Sequence, residues 1–324
     1  MTEAFVRPDV RIFLDYLNAL PGPRTHELDP VAARAMFSAS KDLVDPPVGE
    51  LAVMREVTIP SPAGDIPARL FDAAATRVPG PVVVFYHGGG FVFGTVDTHA
   101  SLCAEIARTL DLPVLSVEYR LAPEHRWPAA PDDAEAAARW VAGNPPELER
   151  TATGLVLIGD SAGGMLTINT AMALRDDPAA VPVLVQAPIY PVTDPAGRYP
   201  SFEEFAEGFV LTKAAMLWFG DAYAADIHHM RGSPMTAPLA GMPPAAIVAA
   251  SLDPLRDQGR AYAARLIEAG VPVVYREAVG TIHGFATLRK AIPSAQGDVS
   301  GFLVALKAMV AEAEGARVQR QAAG

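Results

Sequence analysis

The sequence is poor in cysteine, in cationic charge and in long apolar runs, and each shortage removes a class of protein. Cys103 is the only cysteine among 324 residues. Neither an internal disulfide nor a thiolate metal cage can form from it, and the lone thiol reads as a small buried hydrophobe on a helix. Lysine and arginine total 26 against 37 acidic residues, a formal net charge of −11. Such a surface repels a phosphate backbone or an anionic bilayer at long range, so neither nucleic acid nor a membrane surface is an expected partner. No basic arm or acidic tail stands out. A run of about eighteen apolar residues is absent, so no membrane span is expected. The first residues, Met1 to Leu20, mix acidic, basic and apolar types without the basic start and apolar block of a secretion signal. The expected location is the cytoplasm. Repeats and low-complexity tracts are missing too.

What is present is apolar mass: half of the residues are hydrophobic, enough to bury a large core. The length suits one large domain with a small accessory region better than two equal domains. Val10, Phe13, Leu14 and Leu17 recur at helical spacing near the N-terminus. A second helix is predicted after Asp29, with Asp29 as N-cap and Pro30 in its first position. From Val53 onward short apolar segments alternate with helical ones. Val53–Ile59, Ile66–Phe71, Val82–Tyr86, Val114–Glu118, Leu155–Gly159, Val181–Ala187, Ala245–Ala250 and Pro272–Ala278 read as strands. His99–Leu110, Asp132–Val141, Ser161–Arg175, Asp257–Ala269 and Gly297–Glu312 read as helices. Uninterrupted apolar strands of this kind are buried on both faces, as in a mostly parallel sheet covered by crossover helices. Residues 191–243 break the rhythm and are too long for a bare loop. Thr212 followed by Met216, Leu217, Trp218 and Phe219 predicts a capped helix within them. This insertion and residues 1–50 are the expected lid over residues 51–324.

The strongest chemical signal is Gly159-Asp160-Ser161-Ala162-Gly163-Gly164, which follows one predicted strand and opens a helix. This is a G-x-S-x-G turn in the context that gives it meaning. The turn is too tight for flanking side chains, and it pushes the serine hydroxyl out above a helix N-terminus. His87-Gly88-Gly89-Gly90 follows another strand. Its glycines allow a close backbone approach, so the N–H groups of Gly88 and Gly89, with that of Ala162, are the expected donors to an oxyanion. Neither phosphate-binding glycine pattern is complete here. His87 itself is expected to anchor the glycine loop.

A serine nucleophile needs a base and an orienting acid. Seven histidines are available, and His228, His229 and His283 follow Ser161. His228 and His229 are adjacent, lie in the insertion and lack companion ligands for a metal, so they read as solvated surface. His283 sits just after the last predicted strand, within reach of Ser161. For the acid, Asp253 lies just beyond a strand end, whereas Asp257 begins the next helix and reads as a cap or surface charge. Asp160 is a candidate pocket acid or a structural hydrogen-bond partner. Phe91, Phe93, Phe209, Trp218, Phe285 and Leu288 are candidates to line acyl and alcohol pockets.

In combination these motifs, with Tyr119-Arg120-Leu121-Ala122-Pro123-Glu124, Tyr190-Pro191, Asp253-Pro254-Leu255 and His283-Gly284-Phe285, resemble the hormone-sensitive lipase family of α/β-hydrolases, the bacterial family IV esterases. The resemblance spans about Pro81 to Leu288. It implies an α/β-hydrolase fold, an eight-stranded mostly parallel sheet flanked by helices with a helical cap. It also implies a small-molecule ester substrate with a short acyl chain, no cofactor and Asp253 as the acid. Met165 and Trp127 depart from the commoner family residues. A serine amidase or peptidase could use the same triad, and a ligand-binding protein could share the scaffold. A homodimer is compatible with the reading.

Overall fold

The structure, a computed structural model, describes residues 4–323. Two helices come first. α1 (Pro8–Ala19) starts on a proline, whose missing N–H would have had no partner in a first turn, and buries Val10 and Leu14. α2 (Pro30–Val44) starts as predicted: the Asp29 carboxylate accepts the Ala32 N–H at 2.9 Å, with Pro30 next.

One eight-stranded sheet then organises the chain: β1 (Val53–Ile59), β2 (Ile66–Asp72), β3 (Gly80–Tyr86), β4 (Val114–Val117), β5 (Ala152–Asp160), β6 (Val183–Ile189), β7 (Ala245–Leu252) and β8 (Val273–Ile282). The spatial order is β1-β2-β4-β3-β5-β6-β7-β8. β2 is antiparallel to both neighbours and every other pair is parallel. Parallel pairs require crossovers, supplied here by α3 (Ala100–Leu110), α4 (Ala129–Ala142), α5 (Ala162–Asp176) and α8 (Arg256–Glu268), with α9 (Ala295–Ala323) closing the chain.

The alternation along β3 shows how both faces are filled. Val82, Val84 and Tyr86 enter one core with residues of α4, α5 and α8, while Val83 and Phe85 enter the other with residues of α1, α3 and α9. Each such fully buried side chain contributes roughly 1.5–3 kcal/mol of transfer free energy. Two cores therefore hold the register from both sides, and the loops at the strands' C-terminal ends rise from a rigid base.

Two elements run further than predicted. β8 continues past Gly280, a residue that reads as a breaker; its N–H is held by Ser251 Oγ at 2.7 Å, and the strand leads straight into His283. α9 extends eleven residues past Glu312 because its tail, although no longer apolar on one face, is rich in good helix formers and carries a Glu314–Arg317 pair at 2.6 Å. Among the described residues, no helix is long and apolar enough to cross a membrane.

The 191–243 segment carries α6 (Pro200–Glu204), which sequence reading missed because it is only five residues long, and α7 (Lys213–Tyr223). Thr212 caps α7 through the Ala215 N–H at 3.1 Å, as its position predicts. The N-terminal segment is bonded to the loops above the sheet. Arg34 on α2 donates to the Val92 carbonyl at 2.7 Å and grips Glu124 with both terminal nitrogens. Asp45, at the end of α2, accepts Nε and Nη2 of Arg289, each at 2.9 Å, six residues beyond His283. Both side chains of that pair are at most 5% exposed, so removing one partner strands a buried charge. Asp45→Ala is expected to cost about 3–5 kcal/mol of unfolding free energy; a loss below about 0.5 kcal/mol in urea denaturation would contradict this packing role.

Candidate active site

Ser161 occupies the turn between β5 and α5 with φ 55° and ψ −114°, a conformation that disfavours any residue with a side chain. The surroundings enforce it. A Cβ at Gly159 would overlap the Gly163 carbonyl, and one at Gly163 would overlap the carbonyl of Tyr86 on β3. With glycine at both places, β5, β3 and α5 approach closely enough to lift the serine above the sheet edge. The Ser161 N–H is tied to the Ile189 carbonyl at 2.8 Å.

Asp253 follows β7 directly and His283 follows β8 directly, so adjacent parallel strands deliver both to the same edge as Ser161. His283 Nε2 lies 2.9 Å from Ser161 Oγ, and His283 Nδ1 lies 2.7 Å from Asp253 Oδ2. The other Asp253 oxygen accepts the Leu255 N–H at 2.8 Å, which fixes the carboxylate's orientation. A carboxylate only accepts, so Nδ1 carries the proton and Nε2 presents its lone pair to the serine hydroxyl. That is the arrangement that turns a hydroxyl into a nucleophile. Asp253 is fully buried, whereas Ser161 and His283 each retain 8% exposure, enough to meet a small molecule at the rim. Asp257 points elsewhere: it pairs with Arg256 and Arg260 and accepts the Ser201 N–H.

The glycine loop corrects one expectation. The Gly88 N–H is already committed to Asp160 Oδ1 at 2.8 Å and so is not free to bind an oxyanion. Among the described residues, the N–H groups of Gly89 and Gly90 have no protein acceptor, and neither does that of Ala162 at the first position of α5. Sequence could not reveal this, because Asp160 and Gly88 meet only through the pairing of β3 with β5. His87 anchors the loop from below. Its ring stacks on Tyr119 at 4.3 Å, its Nδ1 lies 2.8 Å from the Gly88 carbonyl, and the Tyr119 hydroxyl donates to the His87 carbonyl at 2.6 Å. Burial, aided by the neighbouring His99, pulls the His87 pKa down to about 3, so the ring is neutral.

The pocket candidates separate by burial. Phe285 is fully buried edge-on against Tyr190, Phe91 stacks on Tyr223 at 3.8 Å, and Asp160 lies beneath the loop; these three are the most enclosed of the candidates. Phe93, Phe209, Trp218 and Leu288 remain half-buried. Phe93 sits between Phe37 on α2 at 4.7 Å and Phe219 on α7 at 5.2 Å. The Phe219 ring packs directly on Gly90, where a Cβ would overlap it. Sequence reading passed over Phe219, His99 and Tyr190 as site residues. Tyr190 lies against the His283 ring at 4.6 Å, and its one signal was the Tyr190-Pro191 motif. His228 and His229 are exposed, and no group of three or more metal-ligating side chains occurs among the described residues.

Residues 83–287 match the family described as the alpha/beta hydrolase fold. The chain is 39% identical over 270 residues to the carboxylic ester hydrolase LipN of Mycobacterium tuberculosis, covering 80% of this chain and 71% of that protein. It is 34% identical over 304 residues to the ethyl acetate hydrolase of Pseudomonas putida, covering 90% and 95%. The solved ester hydrolase EH1AB1 from the metagenome of Lake Arreo, complexed with a derivative of bipyridine phosphonate, matches with a TM-score of 0.89 at 36% identity over 94% of this chain and 98% of that one.

The buried neutral His87 has a consequence for acid stability. The unfolded chain takes up its proton near the ordinary value of 6.5, the folded chain only near 3. Unfolding therefore binds a proton throughout that interval, and stability falls as pH drops through it. The urea midpoint should decline between pH 6.5 and 4.5, above the range where depressed carboxylates such as Asp72 begin to protonate. His87→Gln should flatten that slope. An unchanged slope in the variant would place the acid sensitivity elsewhere.

Proposed function

The chain belongs to the α/β-hydrolase fold family, in its hormone-sensitive-lipase-like group, and from that membership we propose a serine carboxylesterase that cleaves short-chain esters through an acyl-enzyme. The observation that carries the reading is the continuous line from Ser161 Oγ through His283 to Asp253, with contacts of 2.9 Å and 2.7 Å, beside three backbone N–H groups without acceptors among the described residues.

In acylation, Ser161 Oγ attacks the ester carbonyl carbon as His283 Nε2 takes its proton. The carbonyl π pair moves onto oxygen, and the N–H groups of Gly89, Gly90 and Ala162 receive the negative charge, aided by the N-terminus of α5. Asp253 holds the imidazole tautomer and stabilises the imidazolium. Collapse expels the alkoxide, which leaves as the alcohol with the proton from His283. Water then repeats the sequence on the acyl-enzyme and releases the acid.

Residues 1–50 and 191–243 act as the cap over this edge. Phe219 resting on Gly90, with Phe93 and the half-buried Trp218 beside it, supports an acyl site closed by aromatic rings and suited to small groups. The Pseudomonas putida relative is named for hydrolysis of ethyl acetate, which supports the same size class.

Ser161→Ala should lower kcat on p-nitrophenyl acetate by about a million-fold. Asp253→Asn should cost about ten-thousand-fold, while Asp257→Asn should stay within about twofold. Wild-type-like turnover by the serine variant, or a crippled Asp257 variant beside an active Asp253 variant, would remove these assignments. Across p-nitrophenyl esters from acetate to palmitate, kcat/KM should be highest at the short end; a maximum at palmitate would overturn the substrate class.

A further inference from the structure

Directly beneath the glycine loop lies a charged cluster that the ester chemistry does not use. Asp160 is 4% exposed and immediately precedes the nucleophile. Its Oδ1 accepts the Gly88 N–H at 2.8 Å, and the Tyr190 hydroxyl lies 3.4 Å from its Oδ2. A carboxylate so placed needs a counter-charge, since an isolated buried ion is among the costliest features a fold can carry. The cation within reach is His99, at the start of α3, whose Nε2 lies 3.3 Å from Asp160 Oδ1 and whose ring is 1% exposed.

Asp160 can only accept, so Nε2 of His99 is a donor. Nδ1 lies 2.9 Å from Thr98 Oγ1, a hydroxyl that also accepts the Thr95 N–H at 2.9 Å and lies 2.9 Å from the Thr95 carbonyl, and so has a lone pair for a proton on Nδ1. With both nitrogens protonated, the ring is the counter-charge that the buried Asp160 carboxylate requires. We propose that His99 is a positioning residue of the oxyanion site: as an imidazolium it keeps Asp160 ionised, Asp160 holds the Gly88 N–H, and that bond aims the N–H groups of Gly89 and Gly90.

The remaining titratable neighbours agree with this polarity. His87, with ring centroid 5.5 Å away on the loop after β3, is neutral. Asp45, following α2, adds negative charge but is held by Arg289. Glu118, following β4, accepts the Val96 N–H, and burial raises its pKa. Tyr119 and Tyr190 are kept protonated by burial and by the nearby Asp160 carboxylate. Burial works against the charge on His99, yet the Asp160 carboxylate, with the Thr95 backbone and Asp45, raises the His99 pKa on balance. Burial likewise opposes the charge on Asp160, and His99 together with the Gly88 N–H and His87 lowers its pKa on balance. With a neutral side chain at position 99, Asp160 would take up a proton, and a weaker neutral hydrogen bond would replace the charge-assisted one that fixes Gly88.

The proposal rests on the esterase reading, and wild-type turnover tests that reading separately. His99→Gln keeps a donor but removes the charge. It should lower kcat on p-nitrophenyl acetate by about ten- to hundredfold, with KM changed by less than about twofold. The Ki of a trifluoromethyl ketone, which forms an oxyanionic hemiketal on the serine, should rise by a similar factor. A residue that merely stabilised the fold would reduce the folded fraction and leave Ki unchanged. Values of kcat and Ki within about twofold of wild type would overturn the proposal. If His99→Gln does not fold, the wild type decides the matter through NMR of ¹³C-labelled histidine. One of its seven rings should keep imidazolium shifts at a pH where the exposed rings have become neutral; seven rings losing the charge together would refute the assignment.

Discussion

The rest of the site depends on the absence of side chains at two glycines. Gly159 and Gly163 let β5 turn into α5 against the backbone of β3, and the turn holds Ser161 at a positive φ. A Cβ at either glycine would force strand and helix apart. The serine would then lose its place at the rim, and the Ala162 N–H would lose its direction. Strain of this kind persists only where the surroundings over-determine it. Here they do so through two apolar cores that fix β3 and β5 from both faces.

From that turn the site is assembled by parallel strands. Because β5, β6, β7 and β8 are sequential neighbours in the sheet, their C-terminal ends form one edge, and the residues after β7 and β8 arrive beside the serine without a long loop. The loops are then pinned from above by segments distant in sequence: Arg34 holds the carbonyl of Val92 just after the glycine loop, and Asp45 holds Arg289 just after the His283 loop. The N-terminal segment thus touches both halves of the site while contributing none of its reacting groups.

Much of this was legible in the residues. Eight strands, their mostly parallel sense and the caps at Asp29 and Thr212 follow from hydrophobic runs and local hydrogen-bonding chemistry, both written along the chain. Ser161, Asp253 and His283 were readable because each lies at a strand end, where sequence position and spatial position coincide. The commitment of the Gly88 N–H to Asp160 was not readable, since it depends on strand register rather than on motif. For the same reason the motif made Gly88 look like a donor, and it left Asp160 open between a pocket acid and the structural hydrogen-bond partner it is here. The aromatic candidates divide in a similar way: Phe285 and Phe91 look identical in sequence to Phe93, and only packing decides which ring stays partly exposed. His99 carried no motif, only the position of a helix start.

We propose Ser161 as the activated nucleophile of an acyl-transfer site. The most direct measurement is mass spectrometry of the whole protein after reaction with a p-nitrophenyl alkylphosphonate, followed by peptide mapping. One phosphonyl adduct per chain is expected, on Ser161, with release of one equivalent of p-nitrophenol and no adduct once His283 is replaced by alanine. An adduct on a different residue, or ester turnover by a protein that the reagent leaves unmodified, would contradict it.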